Sequence, residues 1–312
     1  MGIMDEIAYR VMRMRQRYPR QDDLVMAEVF QTDAFRQGSA ASRCEVMHAS
    51  SQWRYDYETS NQPFPKTLGI DPSRYLEGNV VLDLGCFTGG RGISWAETYG
   101  IRRLCGIDVD TVFTRSAHDF AGLKKVEAAY ATAVAEELPF EDRVFDTIVC
   151  WDVLEHVRDY GKVLRECWRV LKPGGHAILI FPPYYSPREH HLVDASVVPF
   201  LTCLFSGRTL TRAYDRIIAE RGEGHRWYRR ASPELEPWER SHLLNGITVS
   251  AFWRAVRAGS WTVVRKCHRP LLGSRGGMWL PAVWLSRALA RVPILSEVFT
   301  RRVICILRKD AP

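Results

Sequence analysis

Residues 80–90 read VVLDLGCFTGG, and no other stretch limits the fold as tightly. A short apolar run reaches Gly85, and Gly89 and Gly90 follow before a helical segment. Glycine there permits a tight turn and lets a ligand come close to the backbone. The pattern predicts strand, loop and helix. It then repeats, with strands at Val80–Leu84, Leu104–Asp108, 126–133, Phe145–Trp151 and Ala177–Phe181. Helices fall between them at Arg91–Tyr99, 110–121 and from Tyr160 to Leu171, the last ended by Pro173-Gly174-Gly175. Such alternation implies a parallel sheet with helices on both faces.

The alternation breaks at 182–245, where Pro, Arg, Tyr and His dominate. It resumes with a helix at 248–258, strand Trp261–Lys266, a Trp-rich stretch at 278–298 and strand Val303–Leu307. Ahead of the first strand, Met4, Ile7, Ala8, Val11 and Met12 share one face of a helix over 4–17, expected to dock on its own protein. Residues 22–60 read as helical, and Asn61–Pro72, with three prolines, as a linker. Four regions result: a helical extension at 1–74, a ligand-binding α/β core at 75–181, an inserted lid at 182–245, and completion of the sheet by 246–312.

In an open parallel sheet, ligands bind beyond the carboxyl ends of the strands. The glycine spacing departs from the GxGxxG of dinucleotide sites. Asp83, just before the loop, would repel a pyrophosphate and attract a ligand bearing an ammonium and a sulfonium. Asp108 ends the second strand, where an acid can accept hydrogen bonds from ribose hydroxyls. Taken singly, Asp83 could brace the loop and Asp108 could cap a helix.

The set VLDLGCFTGG, GIDVD, AEELPF, FDTIVCWDVLEHV and LKPGG resembles, in order, the motifs of class I S-adenosylmethionine (SAM)-dependent methyltransferases of the small-molecule group. The resemblance covers about 80–181. It implies a Rossmann-like seven-stranded sheet whose last strand is antiparallel and inserted between the fifth and sixth. It also implies SAM as cofactor. Asp83, Gly85, Cys86 and Gly89 would surround the methionine moiety, and Asp108 would bind the ribose. Val109 would pack on the adenine, with Ala135 and Glu136 at its edge, and Cys150 and Trp151 would close the methionine side. Two positions depart from the pattern: Phe87 replaces the loop's middle glycine, and Val134 replaces an acid that usually precedes AEELPF.

A hydroxyl acceptor needs its proton removed, so a histidine or carboxylate is expected beside it. The lid carries His190, His191 and His242; His191 is the leading candidate base and the other two are reserves. Residues from PPYYSPREHHL onward look similar to bacterial methyltransferases of glycan or secondary-metabolite pathways. The expected reaction is therefore O-methylation of a small molecule or saccharide. The rival readings are an NAD(P)-linked oxidoreductase and a non-catalytic SAM-binding protein. Asp152, Glu155 and His156 resemble the magnesium-binding acid, acid and His of ubiquinone-type O-methyltransferases, but the same residues also read as an ordinary post-strand segment, and no metal is assigned.

Composition adds boundaries. There are 43 basic and 36 acidic residues, a net +7, scattered rather than clustered, which argues against a nucleic-acid partner. Eight cysteines form no CxxC pair and read as reduced, buried thiols. No window is apolar for long enough to span a membrane, and the N-terminus lacks the features of a signal peptide, so a cytoplasmic location is expected.

Overall fold

A computed structural model describes residues 2–15, 38–189, 191–192, 195–221, 236–240, 244–271 and 280–310. Seven strands form one sheet: β1 (Val80–Leu84), β2 (Arg103–Asp108), β3 (Ala128–Thr132), β4 (Phe145–Trp151), β5 (Leu171–Phe181), β6 (Trp261–Pro270) and β7 (Thr300–Lys309). Their order is β3-β2-β1-β4-β5-β7-β6. β7 runs antiparallel to both neighbours and the other adjacent pairs are parallel, as the family resemblance implies.

The strands are apolar on both faces because helices cover both. Leu82, Leu84, Ile148, Cys150, Leu179 and Phe181 pack into one core. Val81, Val149, Ile178, Ile180, Ile304 and Ile306 pack into the other, against Phe64 and Trp95. This period of two is what places Asp83 and Asp108 at strand tips without disturbing either core.

The helices in chain order are α1 (Ile3–Arg13), α2 (Ala40–Asn61), α3 (Pro63–Leu68), α4 (Ser73–Leu76), α5 (Gly90–Tyr99), α6 (Thr111–Lys124), α7 (Tyr160–Val170), α8 (Leu201–Leu204), α9 (Gly207–Arg221), α10 (Val249–Ala258), α11 (Leu280–Leu289) and α12 (Pro293–Phe299). Side-chain oxygens of Ser39, Asp110, Asp159 and Thr248 cap α2, α6, α7 and α10 by accepting from the first-turn amides.

Four expectations need correction. Residues 61–72 are not a free linker: Pro63 opens α3, where its missing N–H costs nothing, and Phe64 and Leu68 are fully buried. On α1 the buried side is Asp5, Ala8, Tyr9 and Met12, whereas Met4 and Ile7 are exposed. α1 does dock on its own protein, with Tyr9 and Met12 against α9 and with Asp5–Arg212 and Glu6–Arg216 ion pairs at 3.1 and 2.8 Å. The fifth strand begins at Leu171, because Leu171 pairs with Phe145 ahead of a register shift. Cys44 and Cys203 are exposed thiols, unlike Cys86, Cys105, Cys150, Cys167 and Cys305.

Candidate active site

The loop between β1 and α5 is fixed from both sides. Gly85 and Gly89 have φ of +79° and +77°, a region costly for other residues. A Cβ at Gly85 would lie 2.2 Å from Val153, and one at Gly89 would lie 2.7 Å from Ala117. The Gly85 and Cys86 amides both donate to the Ile107 carbonyl at 2.9 Å, which holds the β1 and β2 tips together. Phe87, at the departing position, also has positive φ, +51°. Its strain is offset by a hydrogen bond from its backbone N–H to Asp108 Oδ2 at 3.0 Å and ring contact with Phe113 at 4.3 Å.

Asp83 is buried, with a carboxylate oxygen 2.7 Å from where a Cβ on Gly92 would stand. Burial lifts its pKa to about 7, while Arg91 pulls it down and Asp108 adds repulsion. Burial also raises Asp108, against the backbone amides of Asp110 and Phe87 that favour its charged form. Asp108 is not the helix cap; Asp110 fills that role, accepting from the Val112 amide at 2.8 Å. Val109, next to it, is 69% exposed. Ala135 is buried in the core, and Glu136 accepts from the Arg158 and Asp159 amides at 2.7 and 3.2 Å. Cys150 is fully buried, and Trp151 stacks parallel to Trp95 with Arg91 4.3 Å above its ring.

Helix α2 leans on this loop. The Ser51 hydroxyl donates to the Thr88 carbonyl at 2.8 Å, and its carbonyl leaves no room for a Cβ at Gly90. Arg54, three residues on, sets its guanidinium 4.3 Å over the Phe87 ring. Burial lowers its pKa to about 9, with Arg91 adding repulsion, while Asp152, Asp83 and Asp108 pull it up. Sequence reasoning missed Arg54, since nothing local marks one arginine on a long helix as inward.

A nucleoside carrying an amino-acid tail fits these groups. Thr88 Oγ1, the Tyr130 hydroxyl, Trp151 Nε1 and Arg54 Nε are buried without a hydrogen-bond partner among the described residues. Buried polar atoms are ordinarily paired, so this set suits a polar ligand. Tyr130 O–H would stand 3.1 Å from a Cβ on Gly89, inside the glycine cradle.

A second set of groups gathers beyond β4 and β5. A narrow cleft, about 10 Å³ in cavity volume, is lined by Glu155, Pro182, Tyr184, Glu189, His191 and Ile247 among others. His191 reaches it from a backbone with φ of +61°. Its Nε2 lies 4.0 Å from Glu155 Oε1, and His156 Nε2 lies 3.8 Å from the same oxygen. The two imidazoles meet edge to face at 5.0 Å. Glu155 is buried, and its two oxygens find no hydrogen-bond partner on another of the described residues; burial, then Asp152, raises its pKa well above the usual range. Asn245 ties the floor together, donating to the Leu154 and Val157 carbonyls at 2.7 Å each.

Asp152 stands apart from Glu155 and His156. It pairs with Arg302 at 2.7 Å, and Arg302 also meets Glu189. Glu155, His156 and His191 instead offer ligand atoms within 4.8 Å of one another, a set able to hold a divalent cation; Cys44, His48 and Asp119 form another such group on the surface. His190 and His242 lie outside the described residues.

Residues 82–179 match the model of a family described as a methyltransferase domain. The chain is 32% identical over 150 residues to the ubiquinone biosynthesis O-methyltransferase of Alkalilimnicola ehrlichii, covering 48% of this chain and 56% of that protein. It is 26% identical over 212 residues to norajmaline N-methyltransferase of Rauvolfia serpentina, covering 63% and 69%. The chain spans about half the length of the ubiquinone-pathway relatives it matches. The crystal structure of an S-adenosylmethionine dependent methyltransferase from Mesorhizobium loti is similar at 16% identity and a TM-score of 0.46, covering 75% of this chain and 92% of that one.

Proposed function

We propose that this chain, whose residues 82–179 belong to the methyltransferase-domain family, is a SAM-dependent methyltransferase acting on a hydroxyl of a small molecule or saccharide. The observation that carries this reading is the pair of carboxylates, buried Asp83 and half-buried Asp108, at adjoining strand tips around one glycine loop. SAM supplies a methyl group on a positively charged sulfur, which departs as a neutral thioether. Asp83 would hold the ammonium and Asp108 the ribose hydroxyls. The exposed Val109 offers an apolar plate for the adenine, with Ala135 and Glu136 at its edge. Gly85, Cys86, Gly89, Cys150 and Trp151 would shape the methionine side.

The protein's remaining task is to align the acceptor and keep water away. Pro182, Tyr184 and His191 of the inserted segment line the cleft with Glu155, where the acceptor hydroxyl would sit. His191 would take the hydroxyl proton as the new C–O bond forms. Glu155 Oε1, 4.0 Å from His191 Nε2, would orient that imidazole.

Calorimetry with SAM and with NADH, followed by turnover assays on hydroxylated acceptors, tests this. Wild type should bind SAM and not NADH, and Asp83→Asn should lose most of that affinity. His191→Ala should keep SAM binding and lose activity by roughly a hundredfold, the usual range for a general base. Binding of NADH alone would end the proposal, and a near-normal His191→Ala rate would end the assignment of the base.

A further inference from the structure

The connection between β6 and β7 carries a surface that the reaction does not use. Helices α11 and α12 form a short hairpin there, and residues 272–279 of the connection lie outside the described residues. The inner side is ordinary: Val283, Ser286, Ala290 and Ser296 are buried. The outer side is not. Trp284, Leu285 and Ile294 are 66%, 60% and 83% exposed, and Val292 and Leu295 are exposed beside them. A surface helix normally turns charged residues outward. Here the only outward charges are Arg287 and Arg291.

The sequence reinforces the sign. Between Pro270 and Glu297 there are three arginines and no acid. Glu297 itself is turned inward, accepting from the Val249 and Ser250 amides at 2.8 and 2.7 Å. An apolar face with an interfacial tryptophan and a cationic rim matches the outer layer of an anionic bilayer, where the apolar groups enter the acyl boundary and arginines meet phosphates. Among the described residues no helix is long and apolar enough to cross a membrane, so contact would be peripheral.

Topology places this face beside the acceptor cleft. Pro270 pairs with Thr300, and Val303 pairs with Phe181 near the end of β5. The hairpin therefore leaves the sheet at the carboxyl ends of the parallel strands, the same edge as the glycine loop. Phe299 also meets Phe200 of the inserted segment at 6.0 Å.

The geometry points to α11–α12 as a docking surface for anionic lipid bilayers, holding the acceptor cleft close to the membrane. The inference does not depend on methyl transfer. Sedimentation of the full chain with vesicles tests it, using phosphatidylcholine alone and phosphatidylcholine mixed with phosphatidylglycerol. Wild type should sediment with the mixed vesicles, stay in solution with phosphatidylcholine alone, and detach in high salt. Trp284→Glu combined with Ile294→Glu should reduce the bound fraction roughly tenfold, whereas Trp284→Phe should retain it. Arg287→Glu with Arg291→Glu, both at exposed positions, gives a second loss-of-binding variant should the first misfold; unchanged SAM binding or circular dichroism identifies folded variants. Wild type that ignores the mixed vesicles, or folded glutamate variants that sediment as wild type does, would overturn the inference. So would a wild-type dimer in sedimentation velocity that the glutamate variant dissolves, since a second copy would then cover the face.

Discussion

Asp83 shows how burial ties one side chain to pH. Its folded pKa stands near 7, above the ordinary aspartate value of 3.8. The folded chain thus holds a proton that the unfolded chain has already released between about pH 4 and 7. For this group alone, stability of the ligand-free protein falls as pH rises through that window. Under the proposed function, affinity for a cationic ligand would move the other way, because its ammonium would need the ionised carboxylate. SAM affinity measured by calorimetry should therefore strengthen from pH 6 to pH 8, about the pKa near 7. Asp83→Asn should flatten that rise, and a wild-type profile without any slope would remove Asp83 from the ligand. Asp83 and Asp108 are legible in sequence because strand periodicity and the glycine turn together dictate where strand tips lie. Arg54 and Tyr130 are not, because their role arises only when α2 and β3 are folded onto the loop.

Individual elements are held by contacts of differing legibility. The capping residues Asp110, Asp159 and Thr248 stand immediately before helical periods and are readable as such. The grip on α10 by Glu297 is not, since 47 and 48 residues separate the carboxylate from the amides it accepts. Losing it should cost about 1 kcal/mol, the usual value of a helix cap. Glu297→Ala should therefore lower the thermal midpoint by a few degrees, and an unchanged midpoint would show that Thr248 caps α10 unaided. The proline-rich 61–72 segment was misleading for a simple reason. Proline interrupts a helix internally but suits its first turn, and only the burial of Phe64 and Leu68 shows which case applies.

At the scale of the molecule, two bodies of packed residues meet around the site. One is the sheet with its two covered faces. The other joins α1 to the inserted segment: Ala8, Tyr9 and Met12 pack with Leu192, Leu201, Leu210, Tyr214, Ile217 and Trp238. Met12 is fully buried there, so Met12→Ala should destabilise this cap by about 2–5 kcal/mol, read by thermal or denaturant unfolding. SAM affinity should be unchanged, and a loss of it would show that the cap and the glycine loop form one cooperative unit. The sequence alone determined the strands, the alternation with helices and the two acids at the strand tips, because hydrophobic periods and glycine turns are local signals, while the strand order followed from the family resemblance. Tertiary structure decided what lies opposite them. It brought His191 to Glu155, diverted Asp152 to Arg302, and turned Trp284 and Ile294 outward. Those outcomes depend on contacts between residues distant in the chain, and no local pattern encodes which of several compatible partners packing will select.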